Sequence, residues 1–169
     1  TGKNIPTIKD KVIIVMAGDH GVVAEGVSAY PQEVTPQMVL NFLAGGAAIN
    51  VLARQVGARV VVVDMGVAND IDAGRGGVTP PLLIQCRVAS GAMNLAQGPA
   101  MTREQAEESV QSGIDIALAE ISKGADILGT GDMGIGNTTP SAAIACALMN
   151  ASPEKIAGRG TGVDDDGLQ

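Results

Sequence analysis

Two runs of β-branched residues set the architecture. Residues 12 to 17 (VIIVMA), bounded by Lys11 and Gly18, and residues 59 to 65 (RVVVVDM) are short, continuous and apolar. That is the pattern of a strand covered on both faces. A third, shorter run, Asp126 to Leu128, leads into Gly129-Thr130-Gly131. Helical stretches separate the three, so strand and helix alternate. This order predicts an α/β fold, a doubly wound and mainly parallel sheet flanked by helices. With 169 residues, 46% of them apolar, the chain reads as a single α/β domain over 1–169 with ample material for a core.

The intervening segments carry helix signals with physical causes. Thr35 reads as an N-cap with Pro36 at the first helical position, where a missing N–H leaves no orphaned donor. Val39, Leu40, Phe42 and Leu43 then lead into Ala44-Gly45-Gly46-Ala47-Ala48. The paired glycines admit two readings, close approach to a neighbouring backbone or a break between two shorter helices. A later helix opens at Thr102, with Gln105 as its capping-box partner and Glu104, Glu107 and Glu108 at the positive end of the dipole. Its expected buried stripe is Ala106, Val110, Ile114, Ala117 and Ile121, and Lys123-Gly124 stops it. Segment 66–81 (GVANDIDAGRGGVTPP) has the composition of a long loop, functional or mobile.

Composition excludes several classes of function. Eleven basic residues stand against eighteen acidic ones, for a net charge of -7, and the aromatic residues number one Tyr, one Phe and no Trp. Neither a phosphate-backbone field nor stacking platforms are available, so nucleic acid is not expected as a partner. One histidine, His20, excludes multi-histidine metal sites from this chain. Cys86 and Cys146 stand far apart without metal or redox spacing and read as reduced core thiols. No uninterrupted run of about 18 apolar residues and no signal-peptide order occur, so the expectations are no membrane association and a cytoplasmic location.

In a parallel sheet, ligands gather beyond the carboxyl ends of the strands, and each apolar run is followed there by polar or glycine-rich sequence. Gly18-Asp19-His20-Gly21 follows the first. The stretch GTGDMGIGNTTP, Gly129 to Pro140, follows the third. Thr138 or Thr139 can cap a helix with Pro140 in its first turn, and the free N–H groups would suit a phosphate. The competing reading is a glycine loop needed only for a tight turn. GTGDMG satisfies GxGxxG, but it follows the third strand and no acid ending a strand lies about 20 residues on. No Gly-Lys-Ser/Thr completes a phosphate loop either. A second cluster, Gly158-Arg159-Gly160-Thr161-Gly162, again offers backbone donors. The aspartates 164–166 read as the first turn of a following helix in preference to a metal site.

Taken together, AGDHGV (17–22), EGVSAYPQEVT (25–35), GPAMTREQA (98–106), GDMGIGNTTPSAA (131–143) and GRGTGVDD (158–165) closely resemble the nicotinate-nucleotide–dimethylbenzimidazole phosphoribosyltransferases of cobalamin synthesis. The motifs occur in family order across almost the whole chain. The resemblance implies transfer of the 5-phosphoribosyl group from nicotinate mononucleotide to 5,6-dimethylbenzimidazole, with inversion at the anomeric carbon. The products would be α-ribazole 5′-phosphate and nicotinate, with no metal or redox cofactor. It implies a homodimer and a large doubly wound domain beside a smaller helical one. This chain would be the central part of the large domain, lacking the N-terminal part and the C-terminal catalytic part.

Matched position by position, the resemblance places Tyr30 and Met38 at the benzimidazole pocket and Met133 at an apolar pocket position. Gly134, Gly136, Asn137, Thr138 and Thr139 match the loop beside the nucleotide, and Gly158, Gly160, Thr161 and Gly162 match the second one. Asp19 and His20 are adjacent to the site. The family's general base, a Glu, lies beyond Gln169, while Asp132 stands where many members carry Glu and reads as an assisting carboxylate or as a brace for its loop. Two other functions remain open at the level of sequence. One is the NAD-binding domain of a dehydrogenase, resting on GTGDMG alone. The other is a non-catalytic subunit that pairs with another chain through the glycine-rich helix at 35–56.

Overall fold

A computed structural model describes residues 4–71 and 83–168. The elements run β1 (Lys11–Gly18), a short 3-10 turn (Gly21–Glu25), α1 (Val34–Leu43), α2 (Ala48–Val56), β2 (Ala58–Gly66), β3 (Ile84–Gln85), α3 (Arg103–Ser122), β4 (Ile127–Met133), α4 (Thr138–Met149), α5 (Pro153–Ile156) and α6 (Asp165–Leu168). The four strands form one sheet in the order β3-β2-β1-β4, and every pairing is parallel. The expected parallel α/β architecture is therefore present. β3 and the 3-10 turn carry no strong sequence signal and were not anticipated.

β1 is central, and its alternation feeds two cores. Val15 and Ala17 pack with Val62, Val67 and the α1 residues Val39, Phe42 and Leu43. On the other face Val12 and Ile14 pack with Val63 and with Ile116 of α3. Burial on both faces is why VIIVMA is continuously apolar instead of alternating. Glycines 45 and 46 break the helix, which settles the earlier choice: α1 and α2 are separate helices of 10 and 9 residues, with Gly45 at a left-handed φ of 76°. Buried Asn50 ties the break together, its Oδ1 accepting from Ala47 N–H and its Nδ2 donating to the Phe42 carbonyl. Residues 34–56 would be apolar and long enough to cross a bilayer if continuous, but neither helix reaches the roughly 20 residues a span needs.

Several boundaries and faces differ from expectation. α1 begins at Val34 with Glu33 before it, because Thr35 is fully buried and spends its hydroxyl elsewhere. β4 is not a three-residue run; it extends through Gly129, Gly131 and Asp132 to Met133. α4 starts at Thr138 with Asn137 before it, and no side chain caps it. On α3 the capping box of Thr102 and Gln105 forms as expected, but the buried residues are Ile116 and Glu120. Val110, Ile114 and Ile121 of the expected stripe are 64%, 46% and 52% exposed. Ala106 and Ala117 of the expected stripe are half-buried, on the side that also carries Gly113, Ile116 and Glu120, so the packed face is rotated toward small residues that permit the closer approach.

Both cysteines are free, but neither is fully buried. Cys86 lies against the second core, whereas α4, which bears Cys146, has no buried residue. The aspartate run does open a helix, with Asp165 and Asp166 in the first turn of α6. Of the loop read at 66–81, Gly66 ends β2 and residues 72–81 lie outside the described residues.

Candidate active site

The carboxyl ends of β1, β2 and β4 lie side by side, with Ala17 opposite both Asp64 and Met133 in register. The chain departs from each with an acid nearby. Asp64, an acid inside the otherwise apolar β2, is fully buried. Its Oδ1 accepts from the N–H groups of Gly66 and Val67 at 3.0 and 2.8 Å, and its Oδ2 faces Arg87 Nη2 at 3.2 Å. Asp64 thus folds the exit of β2 back on itself. That exit holds the next one, since the Gly66 carbonyl accepts from Asp19 N–H and Asp19 Oδ2 accepts from Ala68 N–H. Asp19 is only 2% exposed, and its second oxygen, Oδ1, has no hydrogen-bond partner among the described residues. A buried carboxylate oxygen without a donor is costly in a merely structural position.

His20 follows and packs against the β4 exit. A Cβ built on Gly134 would stand 2.0 Å from the Gly18 carbonyl oxygen and 2.9 Å from His20 Nε2, so only glycine lets these two strand ends meet. Burial pushes the imidazole below its ordinary value, against the opposing pull of Asp19 and Asp132. Neutral imidazole offers one donor and one acceptor nitrogen here.

The opening half of GTGDMGIGNTTP is strand. Gly129 and Gly131 are paired opposite Ile13 and Val15, and Ile13 Cδ1 lies 2.6 Å from where a Gly129 Cβ would sit. A dinucleotide fingerprint needs those glycines at the strand-to-helix turn, so the dehydrogenase reading fails on geometry. The turn proper is Gly134 to Asn137, anchored by the buried Thr35 hydroxyl, which accepts from Ile135 N–H at 3.0 Å. Gly136, at φ 79°, packs against Val23 and Val27. Asn137 Nδ2 donates to Asp132 Oδ2, bringing the strand's exposed carboxylate to the start of α4. Pro140 in the first turn has no N–H, and Thr139 N–H is already donated to the Gly136 carbonyl, so it is the positive end of this 12-residue helix that makes the setting suited to an anion.

The distant glycine cluster joins this turn. Gly160 approaches Thr138 so closely that a Cβ would lie 2.9 Å from Thr138 Oγ1. Thr161 Oγ1 accepts from Ala29 N–H at 3.0 Å and lies 3.2 Å from Ser28 Oγ. Met38 and Met133 both pack on the first core, while Tyr30 is 55% exposed. Thr139 lies in the first turn of α4 beside Thr138. Gly158 and Gly162 have nothing within 4 Å of a built Cβ. The residues that sequence reasoning missed are Asp64, Thr35 and Ser28. An acid within a run of valines was the signal for Asp64. Thr35 reads as a cap in the sequence, and Ser28 lies inside the motif at 25–35 with no role assigned to it.

Comparison with known proteins extends the same pattern. A phosphoribosyltransferase family model matches residues 1–169. The chain is 55% identical over 165 residues to the nicotinate-nucleotide–dimethylbenzimidazole phosphoribosyltransferase of Desulforamulus reducens, covering 95% of this chain and 44% of that protein. It is 54% identical over 168 residues to the protein of the same name from Geobacter sulfurreducens, covering 99% of this chain and 46% of that one. The crystal structure of CobT from Thermus thermophilus superposes with a TM-score of 0.90 at 52% identity, covering 96% of this chain and 47% of the other. The chain therefore spans about half the length of the curated relatives it matches. With its parallel sheet, its glycine turns and its sequence all in agreement, this chain belongs to the phosphoribosyltransferase family.

Proposed function

We propose that the protein containing this chain transfers the 5-phosphoribosyl group of nicotinate mononucleotide to 5,6-dimethylbenzimidazole. The bond between the anomeric carbon and the pyridine nitrogen breaks, releasing nicotinate. A bond from that carbon to a benzimidazole nitrogen forms on the opposite face, and the other benzimidazole nitrogen gives up its proton, yielding α-ribazole 5′-phosphate. The names of the relatives support this reading. The observation that carries it is the meeting of Gly160 with Thr138 at the start of α4, and of the adjoining Thr161 with Ser28, where the positive end of the helix suits a 5′-phosphate.

In this reading Gly134, Gly136, Asn137, Thr138 and Thr139 cradle the nucleotide with the second glycine loop. Met133 and Met38 supply apolar walls for the base, and Tyr30 borders it. Asp132, at the same helix start, assists as a carboxylate beside the reacting centre. Holding the two heterocycles and the phosphate in line is most of what such a displacement requires, since proximity alone removes a large part of the barrier. The same resemblance supports a cytoplasmic homodimer working on small-molecule substrates.

The test is direct. The full-length protein, incubated with nicotinate mononucleotide and 5,6-dimethylbenzimidazole, yields α-ribazole phosphate and nicotinate in equal amounts by chromatography and mass spectrometry. Failure to form either product at any substrate concentration refutes the reaction.

A further inference from the structure

The direction of chain travel across the sheet reverses between β1 and β4. From β1 the chain steps to β2 and β3 on one side, then returns through α3 to β4 on the other side of β1. In open parallel sheets ligands bind at such a reversal, beyond the carboxyl ends of the two strands that flank it. The flanking ends here are Gly18-Asp19-His20 and Met133-Gly134, with Ala17 and Met133 in register.

One side chain at this point is held firmly and left without an internal partner. The residues on either side of His20 both bond to Ala92: the Asp19 carbonyl accepts from Ala92 N–H at 2.8 Å, and Gly21 N–H donates to the Ala92 carbonyl at 2.9 Å. Asp19 is itself pinned to the exit of β2 through its N–H and its Oδ2. Across the seam the imidazole meets Gly134, where a Cβ would stand 2.9 Å from Nε2 and 3.1 Å from Cδ2. Among the described residues neither ring nitrogen makes a hydrogen bond, and His20 is half-buried, not sealed. A rigidly placed polar group with both of its hydrogen-bonding atoms unused is an arrangement that a ligand completes.

The electrostatics select the group it takes. Burial keeps the ring below its ordinary value, against the pull of Asp19 and Asp132, so at neutral pH it offers one donor and one acceptor nitrogen and no positive charge. A phosphate or a carboxylate would face those two acids and gain no cation from the ring. An apolar surface would leave both nitrogens unpaired. A sugar hydroxyl both donates and accepts, and so matches either nitrogen. In the proposed nucleotide the ribose joins the phosphate to the anomeric carbon, just as Gly134 lies along the chain between Asp132 and the start of α4.

Resting on the reaction proposed above, we infer that His20 is a ribose-binding residue, one of whose ring nitrogens hydrogen-bonds a hydroxyl of the nucleotide's ribose where β1 and β4 part. It distinguishes a ribosyl from a deoxyribosyl donor and takes no part in moving the benzimidazole proton.

The full-length protein tests this with nicotinate mononucleotide and its 2′-deoxy and 3′-deoxy analogues, in wild type, His20→Ala and His20→Leu. Leucine fills the seam without supplying a nitrogen. For one of the two analogues, the preference for the nucleotide, taken as a ratio of kcat/KM values, falls about tenfold in both variants, the worth of one hydrogen bond. The intrinsic reactivity of each analogue cancels between wild type and variant, and a merely structural role would lower all the values alike. KM for 5,6-dimethylbenzimidazole stays within about twofold of wild type. If His20→Ala fails to fold, His20→Leu carries the same comparison. An active wild type whose preference over both analogues persists unchanged in the variants overturns the ribose contact alone, as does a loss confined to the KM of the base. A wild type that forms no product overturns the reaction, and with it the contact.

Discussion

The two ends of the sheet carry similar numbers of acidic groups and treat them in opposite ways. At the amino end, Asp10, just before β1, forms an ion pair with Arg59 at the start of β2, 3.1 Å away. Arg59 Nη1 also stands 2.6 Å from Oε2 of Glu120, near the end of α3, and Lys123 Nζ stands 2.7 Å from Oε1. Asp126, ahead of β4, accepts from the N–H groups of Lys9 and Asp10. These acids meet cations or backbone donors and knit three strand starts to one helix. At the carboxyl end, Asp64 has Arg87, but among the described residues buried Asp19 keeps an oxygen without a donor and Asp132 meets only the amide of Asn137 and the nearby His20. At the amino end even Glu120 Oε2, which makes no hydrogen bond among the described residues, has the Arg59 cation beside it, whereas Asp19 Oδ1 has no such cation and the carboxyl end adds glycine-only contacts, the pattern expected where a ligand completes the set.

This contrast predicts that changes at the two ends separate stability from activity. The largest effect is expected from Gly134→Ala, whose Cβ would meet the Gly18 carbonyl oxygen at 2.0 Å. Because the added carbon meets a backbone oxygen on one side and the His20 ring on the other, the cost is about 3 kcal/mol, with activity lost as well. Urea denaturation and a turnover assay measure both, and a variant of wild-type stability would show that the strand exits can move apart.

Asp132→Ala comes next. Its carboxylate is exposed and bonded only within its own turn, so turnover falls about a hundredfold, in the range for a positioned acid or base, with an almost unchanged thermal midpoint. Unchanged kinetics would reduce Asp132 to a brace for the loop.

Glu120→Gln is the mirror experiment at the other end. Glu120 is 1% exposed, but the side chains of its partners Arg59 and Lys123 are 42% and 61% exposed. Both can rehydrate, so the loss is about 1–2 kcal/mol, below the value for a fully buried pair. kcat/KM stays at the wild-type value. A large activity loss without a stability loss would collapse the distinction between the ends.

The smallest effects are those of pH, and the two ends respond in separate windows. The hydrogen bond from Lys123, opposed by desolvation and helped by Arg59, holds the Glu120 carboxyl below its ordinary 4.5. Its contribution is present above pH 4.5 and is lost as pH falls through the lowered folded value. His20, kept neutral chiefly by burial, lies below its ordinary 6.5. The unfolded chain therefore takes up the proton first, and stability declines as pH falls below 6.5 toward the folded value. Denaturation midpoints across this range should lose the upper slope in His20→Gln and the lower one in Glu120→Gln; a profile unchanged in both would disprove the assignment.

Most of the sheet was legible because burial on both faces leaves an unbroken apolar run, and VIIVMA and RVVVVDM are such runs. β4 was legible only in part, since its middle is Gly-Thr-Gly, in which the two glycines have low strand propensity, and Ile13 fills the space above Gly129. The packed face of α3 was misread for a related reason. Periodicity identifies apolar stripes but not their partner, and the sheet selected the stripe of small residues over Val110, Ile114 and Ile121.

For the site, motif resemblance named the glycine turns and Asp132, but Asp64, Thr35 and Ser28 stayed hidden because their partners are remote. Thr35 meets Ile135 across 100 positions, and Ser28 meets Thr161 across 133. The amino-acid sequence by itself determined the strand–helix alternation, the parallel sheet and the stop of α3 at Lys123-Gly124, because each follows from local burial and backbone freedom. Only the tertiary structure decided which glycines lie in a strand and which in a turn, which face of α3 is buried, and how three distant segments meet at one helix start. Those outcomes depend on contacts between residues far apart in the chain, and no local pattern encodes them.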